Sequence, residues 1–197
     1  KALQAQINPH FLYNSLSLIN WKALEAGQND ISKLTLLLST FYRTALNKGN
    51  NILSIGEEVK NVRSYIDIQL MMHDYNFDVE IEIPDKMKEY ATLNLILQPL
   101  VENAIDHGID LKEDGRGKIS IEGKEQKDDI YLIVSDNGIG MEQEKAQQML
   151  TKKSKGYGLR NVKERIELFF GTDYGVTVTS KPRHGTTICI HMPKRYL

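Results

Sequence analysis

The stretch from Gln98 to Gly108 constrains the possible folds more than any other, because it combines apolar side chains that favour burial with polar side chains that are costly to bury. Its apolar residues recur at helical spacing, which favours burial of one helix face in a core. Its polar residues recur at the same spacing and share another face: Glu102, Asn103, Asp106 and His107. Because a carboxylate, an amide and an imidazole are costly to bury without partners, the stretch predicts either the polar edge of a core helix or a helix that lines a site.

The composition is that of a soluble globular protein and excludes several classes of function. The 197 residues suit one or two domains, with 41% hydrophobic and 26% charged residues. A formal net charge of −1 argues against a general nucleic-acid or membrane-surface binder. Cys189 is the single cysteine, so the sequence has neither a disulfide framework nor a thiolate metal cluster, as expected in a reducing cytosol.

Two leucine-rich segments at the N-terminus predict an antiparallel helical hairpin. Residues 3–26 and 31–47 carry apolar side chains at helical spacing, and the turn Gly27–Asp30 separates them. Such a hairpin cannot bury both of its faces alone, so we expect two chains to form a four-helix bundle. No apolar run is long enough to span a membrane. However, the chain begins at Lys1 within a predicted helix, and we expect it to be part of a longer protein.

The remainder predicts strands in one layer and helices in another. We expect helices over residues 56–73, 91–107, 143–150 and 159–170, and strands over residues 77–83, 119–123, 130–134, 175–180 and 186–192. Residues 151–157 are polar and rich in lysine, which is typical of a loop. The predicted fold class is therefore α+β, with a dimerisation hairpin over residues 1–50 followed by an α/β two-layer sandwich over residues 51–197.

Three short motifs each allow a functional and a structural interpretation. Asp136-Asn137-Gly138-Ile139-Gly140 follows a predicted strand, where glycines either open the backbone for a ligand or form a tight turn. Gly156-Tyr157-Gly158-Leu159 precedes a predicted helix, whose N-terminal N–H groups favour phosphate, and a plain loop is the alternative. Gly185-Thr186-Thr187 is by itself a turn followed by β-branched strand residues.

Together with the Gln98–Gly108 stretch, these motifs resemble the N, G1, G2 and G3 boxes of the Bergerat ATP-binding fold. That fold is shared by histidine kinases, DNA gyrase, the MutL repair proteins and a heat-shock chaperone, and the resemblance covers about residues 55–193. It implies ATP and Mg²⁺ as cofactors, with Asn103 as the metal ligand and Asp136 as the acceptor of the adenine amino group. The other implied nucleotide contacts are His107, Gly138, Gly140, Gly156, Tyr157, Gly158, Leu159 and either Thr186 or Thr187.

The segment from Gln6 to Leu16 (QINPHFLYNSL) resembles the phosphoacceptor motif of LytS/YesM-type sensor histidine kinases, whose form of the N box also matches residues 98–105. The resemblance implies Mg-ATP-dependent autophosphorylation of His10, followed by transfer to an aspartate of a response regulator receiver domain. An imidazole that is neutral near pH 7 is nucleophilic without large pKa tuning. The resemblance further implies a homodimer that forms the cytoplasmic portion of a bacterial sensor protein anchored in the plasma membrane.

Three positions depart from the patterns of related families. Phe11 stands where many histidine kinases carry an acidic residue after the phosphoacceptor, so either Glu102 is the base or the neutral imidazole needs none. Pro99 stands where the ATP-hydrolysing relatives carry a water-activating glutamate, which favours transfer to a side chain over hydrolysis. Asp106 stands where this family often has lysine, so a phosphate contact is not expected there.

Two other functions remain compatible with the sequence. An ATPase or serine/threonine kinase of anti-sigma type would share the nucleotide site and would not depend on His10. A catalytically silent dimeric adaptor would bind nucleotide without transferring phosphate. Whether transfer occurs within one chain or across the dimer depends on the handedness of the turn at Gly27–Asp30, and the sequence leaves that open.

Overall fold

The computed structural model describes residues 9–45, 51–151 and 158–197. Its first two helices, α1 (Pro9–Glu25) and α2 (Asn29–Ala45), form the predicted antiparallel hairpin around Gly27, whose φ is +66°. The Ser32 hydroxyl donates to the Asn20 side-chain oxygen across the hairpin at 2.7 Å. The predicted start of the first helix and the predicted end of the second lie outside the described residues.

The rest of the described chain is a two-layer α/β unit, which confirms the predicted fold class. Its helices are α3 (Ile55–Met72), α4 (Gln98–Ala104), α5 (Gln143–Gln148) and α6 (Leu159–Phe170), with a 3-10 turn at Asp85–Glu89 and a π-helical turn at Ile105–Ile109. Its strands are β1 (Ile52–Ser54), β2 (Phe77–Glu82), β3 (Ala91–Leu93), β4 (Gly117–Gln126), β5 (Asp129–Asp136), β6 (Gly175–Ser180) and β7 (Thr186–Pro193). Strand β1 pairs with β3. The other strands form a sheet in the order β2-β4-β5-β7-β6, in which β2 and β4 run parallel and the remaining neighbours antiparallel.

Alternation along the central strands determines which face of this sheet is buried. Ile130, Leu132 and Val134 on β5 are at most 1% exposed, because successive side chains of a strand point to opposite faces. Apolar side chains of α3, α4 and α6 join them in one core: Ile66, Leu100, Val101, Val162 and Ile166. The helices therefore cover one face of the sheet, and the candidate site lies where α4 meets the end of β5.

The prediction of a helix over residues 91–107 was wrong for the first residues of that range. Ala91–Leu93 forms strand β3, and α4 begins at Gln98 with Pro99 in its first turn, a position where the missing N–H is not needed. Most side chains of residues 93–97 are buried in the core. The apolar spacing of residues 91–97 suggested a helix, but it arises because most of these residues are buried in a strand and a turn.

The hairpin packs on the α/β unit through α2. The rings of Phe41 and Tyr65 lie 6.1 Å apart between α2 and α3, and the Asn94 side-chain amide donates to the Ala45 carbonyl at 3.3 Å. The predicted domain boundary at residue 50 lies outside the described residues and stays a prediction. Among the helices in the described part of the chain, none is both long and apolar enough to cross a membrane.

A buried carboxylate holds the turn that leads into α4. Glu58 of α3 is fully buried and accepts hydrogen bonds from the backbone N–H groups of Leu95, Ile96 and Leu97 at 2.9, 2.8 and 2.8 Å. Burial raises the pKa of the Glu58 carboxyl, while the three N–H donors and the positive charge of Arg165 oppose that rise. The carboxylate thus satisfies donors that precede a helix and that would otherwise be buried without partners.

We expect Glu58→Gln to lower the free energy of unfolding by about 3 kcal/mol, because an amide N–H₂ would then face at least one backbone N–H and the charge-assisted bonds would be lost. The matched control is Glu57→Gln, because the exposed Glu57 accepts from Ser54 in a capping box that glutamine also supports. Urea unfolding with an unchanged m-value measures both losses. Equal losses in the two variants would contradict the role of Glu58.

Candidate functional site

A narrow cavity of about 10 Å³ lies between α4, the end of β5 and the start of β7. Four of its lining residues were predicted from sequence as nucleotide contacts: Asn103, His107, Asp136 and Thr186. Four others were not predicted: Ala104, Met141, Met149 and Ile188. Methionine is an apolar gap filler in sequence terms, so no local signal distinguishes these two from core methionines. The structure therefore brings the N, G1 and G3 motifs together around one cavity.

The carboxylate of Asp136, the last residue of β5, is held by two backbone hydrogen bonds. Its Oδ1 accepts from the N–H of Gly138 at 2.8 Å and from the N–H of Thr186 at 3.3 Å. Burial raises the pKa of Asp136, and the two N–H donors oppose that rise. Both bonds engage Oδ1, which leaves Oδ2 as the acceptor that a ligand amino group would meet.

The glycines around Asp136 let backbone segments approach one another. A Cβ on Gly138 would lie 2.4 Å from the backbone of Gly108, and a Cβ on Gly185 would lie 1.9 Å from the Asp136 carbonyl oxygen. Gly140 has a φ of +60°, and a Cβ there would lie 2.0 Å from a backbone oxygen. We predicted that Gly138 and Gly140 admit the nucleotide base. In the structure their missing side chains admit protein backbone, and an approach of the base stays a prediction. The roles of Gly108 and Gly185 were missed, although each adjoins a predicted contact residue in the sequence.

The two threonines of the G3 motif lie on opposite faces of the sheet. The Thr186 hydroxyl lies 2.9 Å from the Ser180 hydroxyl on the buried face, and Thr186 lines the cavity. The Thr187 hydroxyl lies 2.9 Å from the Ser135 hydroxyl on the other face. Because neighbouring strand residues alternate, the structure brings Thr186 to the cavity and leaves Thr187 away from it.

Adjacent polar residues of α4 have different surroundings. The Asn103 side-chain nitrogen donates to the Pro99 carbonyl at 2.5 Å, so its amide oxygen is the atom that could ligate a cation. Glu102 is not among the residues that line the cavity; its Oε1 accepts from the Gln98 side chain at 2.6 Å. Burial raises the pKa of Glu102, the charge of Asp106 raises it further, and the bond from Gln98 lowers it. Glu102 is therefore a half-buried carboxylate with an increased affinity for a proton.

The predicted phosphoacceptor lies near the start of α1. His10 is exposed, and its Nδ1 lies 3.3 Å from the side-chain nitrogen of Asn14, one helical turn later. Phe11 beside it is 72% exposed. The predicted phosphoacceptor is therefore exposed in the first turn of α1, with its Nδ1 beside the Asn14 amide.

The residues predicted to cover the phosphates are described only in part. Gly156 and Tyr157 lie outside the described residues. Gly158 is the N-cap residue of α6 in extended conformation, and Leu159, the first residue of that helix, is 2% exposed in the core. Leu159 therefore anchors the start of α6, whereas a contact with nucleotide remains a prediction.

Comparison with known proteins gives matches along nearly the whole chain. A histidine kinase family matches residues 1–77, and the histidine kinase-, DNA gyrase B-, and HSP90-like ATPase family matches residues 89–196. The chain is 38% identical to the sensor histidine kinase YesM of Bacillus subtilis and 32% identical to the sensor histidine kinase BtsS of Escherichia coli, each over 195 residues. Each alignment covers 99% of this chain and 33% of the relative, so the chain spans about a third of the length of these relatives.

The fold is similar to that of a crystal structure of the histidine kinase ThkA in complex with the response regulator protein TrrA. The TM-score is 0.54 at 17% identity, and the match covers 95% of this chain and 58% of that chain. At this identity the similarity concerns the fold alone.

We expect Gly138→Ala to lower the free energy of unfolding by about 3 kcal/mol, because the added methyl group would overlap the backbone of Gly108 and force the site apart. Gly115→Ala is the control: Gly115 has a φ of +71° but nothing within 4 Å of a Cβ, so we expect only the cost of about 1 kcal/mol for its left-handed backbone. Thermal and urea unfolding of both variants measure the difference. A loss at Gly138 no larger than at Gly115 would contradict the close packing.

Proposed function

The chain belongs to the histidine kinase branch of the histidine kinase-, DNA gyrase B-, and HSP90-like ATPase family, and on that premise we propose that it transfers the γ-phosphoryl group of ATP to His10. From His10 the group passes to an aspartate of a response regulator receiver domain. The observation that carries the proposal is the cavity shared by Asn103, Asp136 and Thr186 in a chain that also presents an exposed His10 on a helical hairpin. A nucleotide site and a nucleophile on separate elements suit transfer between them.

The nucleotide base binds beside Asp136 in this proposal. The two backbone bonds to Oδ1 fix the carboxylate, and Oδ2 accepts the adenine amino group. The cavity of about 10 Å³ is far smaller than a base, so its wall has to move on binding. Met141 and Met149 form part of that wall, and their unbranched side chains change rotamer easily.

Asn103 is the residue that would hold Mg²⁺. The hydrogen bond from its nitrogen to Pro99 orients the amide oxygen, and Mg²⁺ prefers hard oxygen ligands, with phosphates and water completing its shell. No group of three or more His, Cys, Asp or Glu that could hold a metal occurs among the described residues, which suits an ion bound largely through phosphates. The ion, when bound, neutralises phosphate charge.

In the proposed transfer, His10 Nε2 forms a bond to the γ-phosphorus while the bond to the bridging oxygen of ADP breaks. Attack through Nε2 uses the tautomer of the neutral ring that carries its proton on Nδ1, on the side of Asn14, and this proton must leave once the bond to phosphorus forms. Glu102 is the proposed acceptor of that proton, since its raised pKa gives it proton affinity in a half-buried position. Pro99 offers no carboxylate to activate water, which favours His10 as the acceptor of phosphate.

The hairpin surface supports a homodimer. Several large apolar side chains of α1 and α2 are about half exposed or more: Phe11, Leu18, Trp21, Leu24, Ile31 and Leu36. Exposed apolar surface of this kind favours burial against a second copy. A response regulator as the next partner is supported by the ThkA structure, whose complex contains one. We also propose that the parent protein is a membrane-anchored sensor whose kinase portion lies in the cytoplasm.

We expect γ-labelled ATP to leave an acid-labile, base-stable label on the wild-type protein, because phosphohistidine has that stability. His10→Ala should abolish the label, and Asn103→Asp should abolish it by disturbing the metal site. His184→Ala is the control, since this exposed histidine bonds only within its own turn in the described contacts and should label as the wild type does.

Other outcomes of this labelling experiment favour the rival functions. Acid-stable label on a partner, unaffected by His10→Ala, would favour a serine/threonine kinase of anti-sigma type. Nucleotide binding without any label would favour a silent adaptor. Either result overturns the proposed function.

The rate of His10 labelling should fall as the pH falls through the pKa of Glu102, because the carboxylate accepts a proton only while it is ionised. Asp106→Asn removes a nearby charge that raises the pKa of Glu102, so we expect the acidic limb of the pH–rate profile to move to lower pH. Asp110→Asn is the control, because Asp110 pairs with His73 instead.

Glu102→Gln should lower the rate of His10 labelling by about 100-fold, because its amide cannot accept the proton. A full rate in that variant would exclude Glu102 as the base.

A further inference from the structure

The turn formed by residues 94–97, just before α4, is held from two sides. Glu58 accepts the N–H groups of Leu95, Ile96 and Leu97. Arg165 of α6 donates to the carbonyl of Asn94 at 2.6 Å and to the carbonyl of Leu95 at 3.4 Å. Glu58 therefore takes three N–H donors of the turn, and Arg165 takes two of its carbonyl acceptors.

The backbone of this turn needs such support. Leu95 has a φ of +56°, a left-handed conformation that is uncommon for residues other than glycine and asparagine. A strained residue of this kind persists only where the surrounding structure determines it. Glu58 and Arg165 supply that restraint.

The same turn connects three parts of the molecule. The Asn94 side chain donates to the Ala45 carbonyl at the end of α2, and the Asn94 N–H donates to the Asn51 carbonyl at 2.9 Å. Helix α4 follows immediately and carries Asn103. The turn thus lies between the end of the hairpin that bears His10 and the helix that bears the proposed metal ligand.

We propose that Arg165 is a positioning residue for the transfer to His10: by fixing the turn 94–97 it sets α4 and Asn103 relative to the end of α2. This inference rests on the proposed function. In the proposed function Asp136 holds the base, and the bonds that fix its carboxylate come from the backbone of Gly138 and Thr186, outside the turn. Loosening the turn therefore leaves nucleotide affinity nearly intact. The transfer step suffers instead, because misplacement by about 1 Å costs roughly 100-fold in rate.

The test compares Arg165→Gln and Arg165→Lys with the control Lys163→Gln, which removes a charge and an ion pair to Glu167 from the same helix. Three quantities are measured: affinity for a fluorescent ATP analogue, the rate of His10 labelling at saturating ATP, and hydrogen exchange of the amides of residues 95–97. In Arg165→Gln we expect affinity within about threefold of wild type, a saturating rate at least about tenfold lower, and faster exchange. Arg165→Lys should rescue part of the rate because its ammonium still donates to one carbonyl, and Lys163→Gln should match the wild type.

Contrary results separate the failure of this inference from that of the proposed function. A full saturating rate in Arg165→Gln overturns the inference while the kinase function stands. Parallel losses of affinity and rate also overturn it, since they indicate a general structural role. If the wild type acquires no label, the proposed function fails and the positioning role for transfer fails with it, whereas amide exchange in Arg165→Gln still decides whether Arg165 holds the turn.

Discussion

The candidate site depends on backbone segments that meet where no side chain intervenes. Gly108, Gly138 and Gly185 come from three different parts of the chain, and each would overlap a neighbour if it carried a Cβ. Their contact brings the end of α4 against the end of β5 and the start of β7. Asn103 and Asp136 can share one cavity only because these segments are so close.

The parts of the fold that sequence predicted well have local causes. The bounds of α6 and β6 follow from periodicity within each segment, and the ATP-site motifs follow from residue types at fixed spacing. The predicted start of α4 was wrong because the residues before it are apolar for another reason: most of them are buried in a strand and a turn. Thr186 and Thr187 could not be separated, since the sheet register that turns one inward is set by strands far away in the sequence. Glu58 gave only a weak signal as an acidic residue early in a helix, because its partners, Leu95, Ile96 and Leu97, lie far along the chain.

In the proposed mechanism the protein contributes geometry more than reactive groups. A carboxylate fixed by backbone N–H groups locates the nucleotide base, and one amide oxygen locates the metal. The phosphoacceptor histidine lies on a helix of the separate N-terminal hairpin. Phosphoryl transfer is suited to this division because it requires alignment and charge neutralisation above all. Loosening any of these supports would then reduce the transfer rate through misalignment, although every reacting group would still be present.

The parallel pairing of β2 with β4 has a consequence for the order of folding. Phe77 pairs with Gly117, and α4 with the turn before it lies in the chain between them. The hairpins β4–β5 and β6–β7 form across short connections. The pairing of β2 with β4 requires closure of a long loop, which has a greater entropic cost. We therefore expect the candidate site, whose helix α4 lies within that loop, to be among the last parts of the molecule to form.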